Sequence, residues 1–174
     1  SSELVRTMDA EQNVLLSLSY ADSGFYHTSN GTAVQLHVYT GIGEDTVFYK
    51  TQRQHNIDAN WDVQSPYRWD GVFPDDEYSI LYTGALVPPI SAEYTLYFLH
   101  DGYITLQVGD SVFIDRLEDD SELTEPDSIT LFLEGGKPYP FKIFYEHLRY
   151  VARIQASWSY SVVSHQVIPE MHFQ

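Results

Sequence analysis

Carboxylate and imidazole side chains are the groups in this sequence that could carry chemistry, because the chain contains no cysteine. Acidic runs occupy residues 75–77 and 118–120. A glycosidase needs two carboxylates about 5–10 Å apart across its substrate, and neighbours in sequence do not provide that geometry. The seven histidines are widely separated, and neither a Gly-x-Ser-x-Gly elbow nor a phosphate-binding glycine loop occurs. The sequence therefore predicts a protein that is not an enzyme.

One triplet, His100-Asp101-Gly102, combines these groups with a turn signal. It joins residues 93–99 to residues 103–108, two stretches in which hydrophobic and polar residues alternate as half-buried strands require. Asp and Gly are ordinary turn residues, so the triplet can be interpreted as a polar connection between strands. The alternative is a ligand site, since a carboxylate and an imidazole both form hydrogen bonds with hydroxyl groups.

The rest of the sequence predicts the strands that would position this triplet. Turn signals at residues 100–102, 109–110 and 135–136 each predict a hairpin, and hairpins favour an antiparallel sheet over βαβ units. A short helix is expected at residues 1–12, and a long irregular section at residues 52–76. Strands are predicted at residues 14–20, 33–39, 47–49, 78–82, 93–99, 103–108, 111–115, 129–133, 140–145 and 151–158.

Length and composition favour a single all-β domain that spans residues 1–174. A chain of this size can bury a core without disulfides. Its 14 tyrosines, nine phenylalanines and three tryptophans suit pleated surfaces better than helices. Trp158, at the end of a predicted strand, and Trp61 are expected to pack in the interior. Trp69, between charged neighbours, is either a ligand platform or an interior anchor with a bonded ring nitrogen.

The net charge of −16 limits the partners that this chain would bind. Such a surface repels phosphate backbones and anionic membranes, so nucleic acid is not an expected partner. The apolar runs are far shorter than the ~18 residues that span a bilayer, and the first residues lack a signal-peptide pattern. We therefore expect no transmembrane segment, and a mature or excised soluble domain.

Four ordered elements carry a resemblance to a known family. They are Tyr82-Thr83-Gly84 with Pro88 downstream, the strand connection at Asp101-Gly102, the Gly109 turn followed by Ile114-Asp115, and the Glu134-Gly135-Gly136 turn leading into Tyr139. In this order and spacing, the sequence resembles the anthrax protective-antigen, or PA14, domain family across residues 14–169. The resemblance implies an antiparallel β-sandwich of jelly-roll-like type with long loops, as in bacterial toxins, some β-glucosidases, fungal flocculins, epithelial adhesins and bacterial surface proteins.

In the sugar-binding members of that family, two adjacent aspartates close a loop that holds calcium, and the ion bridges to neighbouring hydroxyl groups of a terminal sugar. Calcium prefers about six to eight oxygen ligands, and a sugar diol supplies two of them. The matching positions are His100 and Asp101, of which only Asp101 keeps the carboxylate. Histidine offers a nitrogen that calcium rarely accepts. The resemblance therefore implies Ca²⁺ as a candidate ion, with Asp101 as its candidate ligand.

A second loop of the family's sugar site would fall at residues 146–150. Glu146 offers a further oxygen to an ion, whereas Arg149 would repel it. A site without metal is the other arrangement, in which Tyr103 and Tyr150 stack on sugar rings while carboxylate and imidazole groups bond to hydroxyls. The candidate ligand-binding residues are therefore His100, Asp101, Gly102, Tyr103, Glu146, His147, Arg149, Tyr150 and Trp69.

The resemblance implies an extracellular carbohydrate-binding module, as an adhesin or an accessory domain, with a glycan or cell-surface carbohydrate as its partner. Such a module would be secreted or lie at the cell surface, and it would suit a larger multidomain chain. The toxin member of the family implies an alternative, a non-enzymatic protein-interaction or assembly domain.

Overall fold

A computed structural model describes residues 33–116 and 125–174 of the chain. The helix predicted at residues 1–12 and the strand predicted at residues 14–20 lie outside the described residues. The described elements, in chain order, are β1 (Val34–Thr40), a 3₁₀ helix (Gly43–Asp45), β2 (Val47–Gln54), β3 (Asp58–Asp62), β4 (Tyr78–Leu86), β5 (Ala92–His100), β6 (Tyr103–Val108), β7 (Ser111–Arg116), β8 (Asp127–Leu133), β9 (Tyr139–His147), β10 (Ala152–Tyr160), β11 (Val163–Val167) and a 3₁₀ helix (Glu170–His172).

These strands form two antiparallel sheets that pack face to face. The six-stranded sheet has the order β2-β1-β4-β9-β6-β7. The five-stranded sheet has the order β11-β10-β5-β8, with β3 pairing to β10. Two packed antiparallel sheets are the arrangement of a β-sandwich, so the all-β class predicted from the sequence is confirmed.

The core lies between the two sheets and is built from the alternating side chains of their strands. In β4, the side chains of Tyr78, Ile80 and Tyr82 belong to this core cluster, as the period of two along a strand requires. Trp158 of β10 is fully buried in the same cluster. Trp61 packs against it, with its ring centroid 6.2 Å from that of Tyr78. The interior position predicted for Trp158 is confirmed, whereas Trp61 packs against the core from β3 and is half-buried.

Of the three predicted hairpins, only the one at residues 109–110 forms, where β6 pairs with β7. The triplet at residues 100–102 instead connects β5 in the five-stranded sheet to β6 in the six-stranded sheet. Residues 135–136 likewise connect β8 to β9, which lie in different sheets. The alternating pattern defines which side chains of a strand are buried but not which strand lies beside it, so the two hairpin predictions were wrong.

The section predicted to be irregular, residues 52–76, is shorter than expected. β2 continues to Gln54, and β3 forms within the section and pairs with β10. The loop that remains is packed by its own aromatic residues, since Tyr67 and Phe73 are buried with ring centroids 5.2 Å apart. Phe73 also contacts Tyr78 at the start of β4, at 5.5 Å between centroids. This packing fixes the chain that leads into β4.

Lys142 is a buried cation in the middle of the six-stranded sheet. It lies on β9, between Thr83 of β4 and Gln107 of β6. Burial lowers the pKa of Lys142 from its ordinary 10.5 to about 7, because removal from water disfavours the charged form of an amine. The sheet therefore contains a group whose protonation differs between the folded and the unfolded chain near neutral pH.

Replacing Lys142 by Met should remove a pH dependence of stability. The native protein releases the Lys142 proton near pH 7, whereas the unfolded chain keeps it to about pH 10, so unfolding takes up a proton between these values. The free energy of unfolding of the wild type should therefore rise with pH from about 7 to 9, with this group contributing up to about 1.4 kcal/mol per pH unit. Urea denaturation at several pH values measures the slope.

The matched control is Lys137→Met, which removes an exposed lysine and should leave the slope unchanged. Equal slopes for the wild type and Lys142→Met between pH 7 and 9 would contradict the assignment of this pH dependence to Lys142.

Candidate functional site

Four segments meet at one end of the sandwich: the β1–β2, β5–β6 and β9–β10 connections, and the chain that leads into β4. The N–H of Glu77 donates a hydrogen bond to the carbonyl oxygen of Leu148 at 3.2 Å. The N–H of Gly41 donates a hydrogen bond to the carbonyl oxygen of Glu77 at 2.6 Å. The N–H of Asp101 donates to the carbonyl oxygen of Arg153 at 3.2 Å. These backbone bonds form the frame in which most of the predicted site residues lie.

The Asp101 carboxylate receives three hydrogen bonds from the protein. Its Oδ1 accepts from the Tyr145 hydroxyl at 2.8 Å and from the Arg153 N–H at 2.5 Å. Its Oδ2 lies 2.9 Å from Nδ1 of His147. Burial, with Tyr78 and Asp101 nearby, holds the pKa of Tyr145 well above its usual value, so the phenol remains a donor. With its side chain only 14% exposed, Asp101 joins β9 and β10 to the β5–β6 connection.

His147 is fully buried and lies between two carboxylates. Its Nδ1 contacts Asp101, and its Nε2 lies 3.5 Å from Oδ1 of Asp76. The second contact has the distance of an ion pair but lacks hydrogen-bond geometry, so Nε2 has no hydrogen-bond partner. The ring packs on Tyr78 at 5.0 Å between centroids. His147 therefore connects the Asp101 network to the chain that leads into β4.

His100 is buried as well, and both of its ring nitrogens face oxygen atoms. Nε2 lies 3.1 Å from Oδ2 of Asp127, and Nδ1 lies 3.2 Å from the carbonyl oxygen of Gly102. Both oxygens are acceptors, so both contacts are satisfied together only when the ring carries a proton on each nitrogen. His100 thus fixes the β5–β6 connection to the start of β8.

Gly102 and Glu146 hold the same connection against β9. Gly102 has a φ of +71°, and a Cβ atom at this position would lie 2.3 Å from the carbonyl oxygen of Glu146. Tyr103, half-buried, follows directly and pairs with Glu146 in the sheet. The Glu146 side chain accepts a hydrogen bond at 2.8 Å from the N–H of Gly43 in the β1–β2 connection. Glu146 is therefore used within the protein, whereas the sequence predicted a ligand contact.

Arg149 and Tyr150 are the exposed members of the predicted site on the β9–β10 connection. Tyr150 is 64% exposed and has a φ of +69°, a backbone conformation that residues other than glycine rarely adopt. The Arg149 guanidinium carbon lies 5.3 Å from the centre of the Tyr150 ring. Beside them is an open depression of about 510 Å³, lined by Pro74, Asp75, Asp76, Glu77, Leu148 and Arg149.

Trp69 is 84% exposed, so it is not an interior anchor. The Arg68 guanidinium carbon lies 4.5 Å from the centre of its ring. The neighbouring Asp70 holds this loop to β2, because its Oδ2 accepts a hydrogen bond from the Tyr49 hydroxyl at 2.5 Å and lies 3.9 Å from Nζ of Lys50. These contacts run to β2, and the structure does not bring Trp69 into the Asp101 network.

The structure separates the predicted residues into buried supports and exposed groups, and it adds supports that the sequence did not indicate. Tyr145, Asp76, Asp127 and the backbone of Arg153 bond to the predicted residues from other segments of the chain. The sequence marked Tyr145 as part of a predicted strand and Asp76 as part of an acidic run, but it did not indicate that either contacts the predicted site.

Calcium does not fit the residues around Asp101. Both oxygens of its carboxylate already accept hydrogen bonds from the protein, and the neighbouring position holds a buried imidazole in place of an oxygen ligand. Across residues 33–116 and 125–174, no group of three His, Asp or Glu side chains is arranged to hold a metal ion. Calcium prefers several oxygen ligands at once, and this loop does not offer them.

Comparison with known families decides the assignment of this fold. The model of the PA14 domain matches residues 37–171. The chain belongs to the PA14 domain family. This PA14 domain has 32% sequence identity over 114 residues with the anti-sigma-I factor RsgI3 of Acetivibrio thermocellus. The match covers 65% of this chain and 17% of that protein. The chain thus spans less than a fifth of this relative.

Solved structures share the PA14 fold. An anti-sigma factor domain-containing protein has 25% identity and a TM-score of 0.73, over 80% of this chain and 46% of that one. The epithelial adhesin 6 A domain of Candida glabrata, in complex with Galβ1-3GlcNAc, has 11% identity and a TM-score of 0.65, over 84% and 88% of the two chains. A β-glucosidase of Kluyveromyces marxianus, in complex with glucose, has 15% identity and a TM-score of 0.57, over 75% of this chain and 16% of that one.

Between residues 33 and 116 and from 125 to 174, the helices of this PA14 domain are two short 3₁₀ helices. In the part of the chain that the structure describes, none is both long enough and apolar enough to cross a membrane.

Replacing Gly102 by Ala should destabilise the domain more than replacing Gly136 by Ala. Both glycines have positive φ values, +71° and +77°, and alanine in that conformation costs about 1–2 kcal/mol. Only at Gly102 would the new methyl group meet backbone, since nothing lies within 4 Å of a Cβ at Gly136. We expect Gly102→Ala to lose at least about 2 kcal/mol more than Gly136→Ala.

Chemical denaturation of the two variants and the wild type measures this difference. Equal losses in the two variants would show that the close approach of Gly102 to Glu146 does not contribute to stability.

Proposed function

We propose that this PA14 domain is an extracellular or cell-surface carbohydrate-binding module that engages a glycan at the end of the sandwich where the β5–β6 and β9–β10 connections meet. The observation that carries the proposal is Tyr150, a large aromatic side chain that is 64% exposed on a backbone at φ +69°. Strained backbone of this kind clusters at functional sites, because surrounding structure must maintain it.

The groups around Tyr150 suit a sugar chemically. The face of an aromatic ring packs against the C–H groups of a pyranose ring. The carboxylates of Asp75, Asp76 and Glu77 and the guanidinium of Arg149 line the adjoining depression, and such groups accept from or donate to sugar hydroxyls. A depression with several convergent polar groups, next in the chain to an exposed aromatic residue, suits a small polar ligand.

The buried residues of the predicted site have a supporting role in this proposal. His100, Asp101 and His147 hold the two connections in place, as rigid supports for contact residues generally do. Contact with the glycan falls to Tyr150 and Arg149, with Trp69 as a further exposed aromatic residue on the neighbouring loop. The proposed site is thus made of the exposed residues and does not need a metal ion.

Solved relatives support a sugar as the ligand. The epithelial adhesin domains of Candida glabrata were crystallised with Galβ1-3GlcNAc, Galβ1-4GlcNAc or β-lactose. The chain aligns with 88% of the epithelial adhesin 6 domain, so the likeness covers nearly all of a domain that holds a disaccharide.

The alternative is a non-enzymatic protein-interaction domain within a longer regulatory protein. The anti-sigma factor relatives favour it, since they have 32% and 25% identity and the chain matches less than half of each. A domain that only contacts another protein does not require a glycan, so binding to glycans distinguishes the two proposals.

Replacing Tyr150 by Ala should weaken glycan binding at least tenfold, which corresponds to about 1.4 kcal/mol, with no loss of thermal stability beyond that of a surface change. A glycan array identifies the ligand, and isothermal titration calorimetry with that glycan then compares the variants. Arg149→Ala should weaken binding as well, because it removes hydrogen-bond donors beside the ring.

The matched control is Phe132→Ala, which removes an aromatic side chain that is also 64% exposed but lies on β8 at the opposite end, paired with Glu93. This variant should bind as the wild type does. An array without any bound glycan would contradict the proposal, as would equal affinities of Tyr150→Ala and the wild type.

A further inference from the structure

We infer that the β5–β6 connection of this protein is closed by the chain's own hydrogen-bond donors in the place where related sugar-binding domains use a calcium ion. The inference concerns the protein without ligand, so it does not depend on the identity of any glycan. It follows from three observations on the carboxylates, the charges and the segments that meet at Asp101.

The first observation is that the carboxylate oxygens nearest to the connection are already engaged. Asp101 accepts hydrogen bonds from Tyr145, His147 and the Arg153 backbone at 2.5 to 2.9 Å. Three of the roughly four acceptor sites of the carboxylate are thus in use, and a calcium ion that took more than the remaining one would leave a donor unpaired, which is costly. It would also need further oxygen ligands, whereas the neighbouring carboxylate of Asp127 faces an imidazole nitrogen.

The second observation concerns the local charge. Where two aspartates would bring two negative charges that a divalent ion neutralises, this chain has His100 followed by Asp101. Both ring nitrogens of His100 contact oxygen atoms, those of the Asp127 carboxylate and the Gly102 carbonyl, so neither nitrogen is open to an ion. The connection therefore has one carboxylate fewer than the pair that attracts a divalent ion.

The third observation is that the network joins the segments that an ion would have to join. Asp101 connects the β5–β6 connection to β9 and β10. His147 extends the contact to Asp76, ahead of β4, and His100 extends it to Asp127, at the start of β8. With these segments bonded to one another directly, an ion has no remaining gap to bridge.

Thermal melting of the full chain with calcium, with magnesium or with a chelator tests the inference. A site half-saturated at 0.1 mM calcium would raise the melting temperature by roughly 5–11 °C at about 10 mM calcium. We expect the melting temperatures in calcium and in magnesium to agree within about 1 °C. A larger rise that is specific to calcium and disappears in Asp101→Asn would overturn the inference, whereas one that persists in that variant places the ion elsewhere and supports it.

The variants themselves provide the second measurement, made in chelator throughout. Asp101→Asn should lower the melting temperature by roughly 5–10 °C. The change removes the negative charge, and the N–H₂ group of the new amide cannot accept a hydrogen bond from the donors that face it. Glu93→Gln, at an exposed carboxylate on the preceding strand β5, should change it by less than about 1 °C. Equal melting temperatures of Asp101→Asn and Glu93→Gln would overturn the inference.

If Asp101→Asn does not fold, Tyr145→Phe replaces it, because this change removes one donor to Asp101 and keeps the ring in the core. It should lower the melting temperature in chelator by roughly 2–6 °C, and added calcium should not restore the loss. Restoration by calcium, but not by magnesium, would show that an ion completes the connection.

Discussion

One carboxylate, that of Asp101, holds together the end of this sandwich where the β5–β6 and β9–β10 connections meet. Its oxygens accept hydrogen bonds from β9 and β10, and its own backbone passes from one sheet to the other. Hydrogen bonds to an ionised group are stronger than those between neutral groups, and each of these donors would be left buried and unpaired without it. The positions of the surrounding connections therefore depend on this one side chain.

The Asp101 side chain is largely buried. We therefore expect any ligand to contact the exposed residues whose positions Asp101 fixes. Arg149 and Tyr150 follow one residue after the end of β9 at His147, whose ring lies between Asp101 and Asp76. The exposed pair thus begins two residues from the network. In many folds, binding residues lie on loops that a rigid scaffold holds in position.

The sequence was informative where structure is local and silent where it is not. Alternation predicted the bounds of β5, β6 and β9 to within a few residues, because the residues of a strand themselves determine which of its faces is buried. It could not name their neighbours, so two turns were taken for hairpins although they join different sheets. The partners of Asp101 lie 44 to 52 residues away in the chain, and no spacing in the sequence indicates such a contact.

The way in which Asp101 is bonded also affects how this module can diversify. Its partners are a hydroxyl, an imidazole and a backbone N–H, so the identity of Tyr145 and His147 matters, whereas any residue at position 153 other than proline provides the third donor. Residues 149 and 150 are exposed at the surface. Substitutions there can accumulate without loss of the fold, while residues 101, 145 and 147 must evolve together.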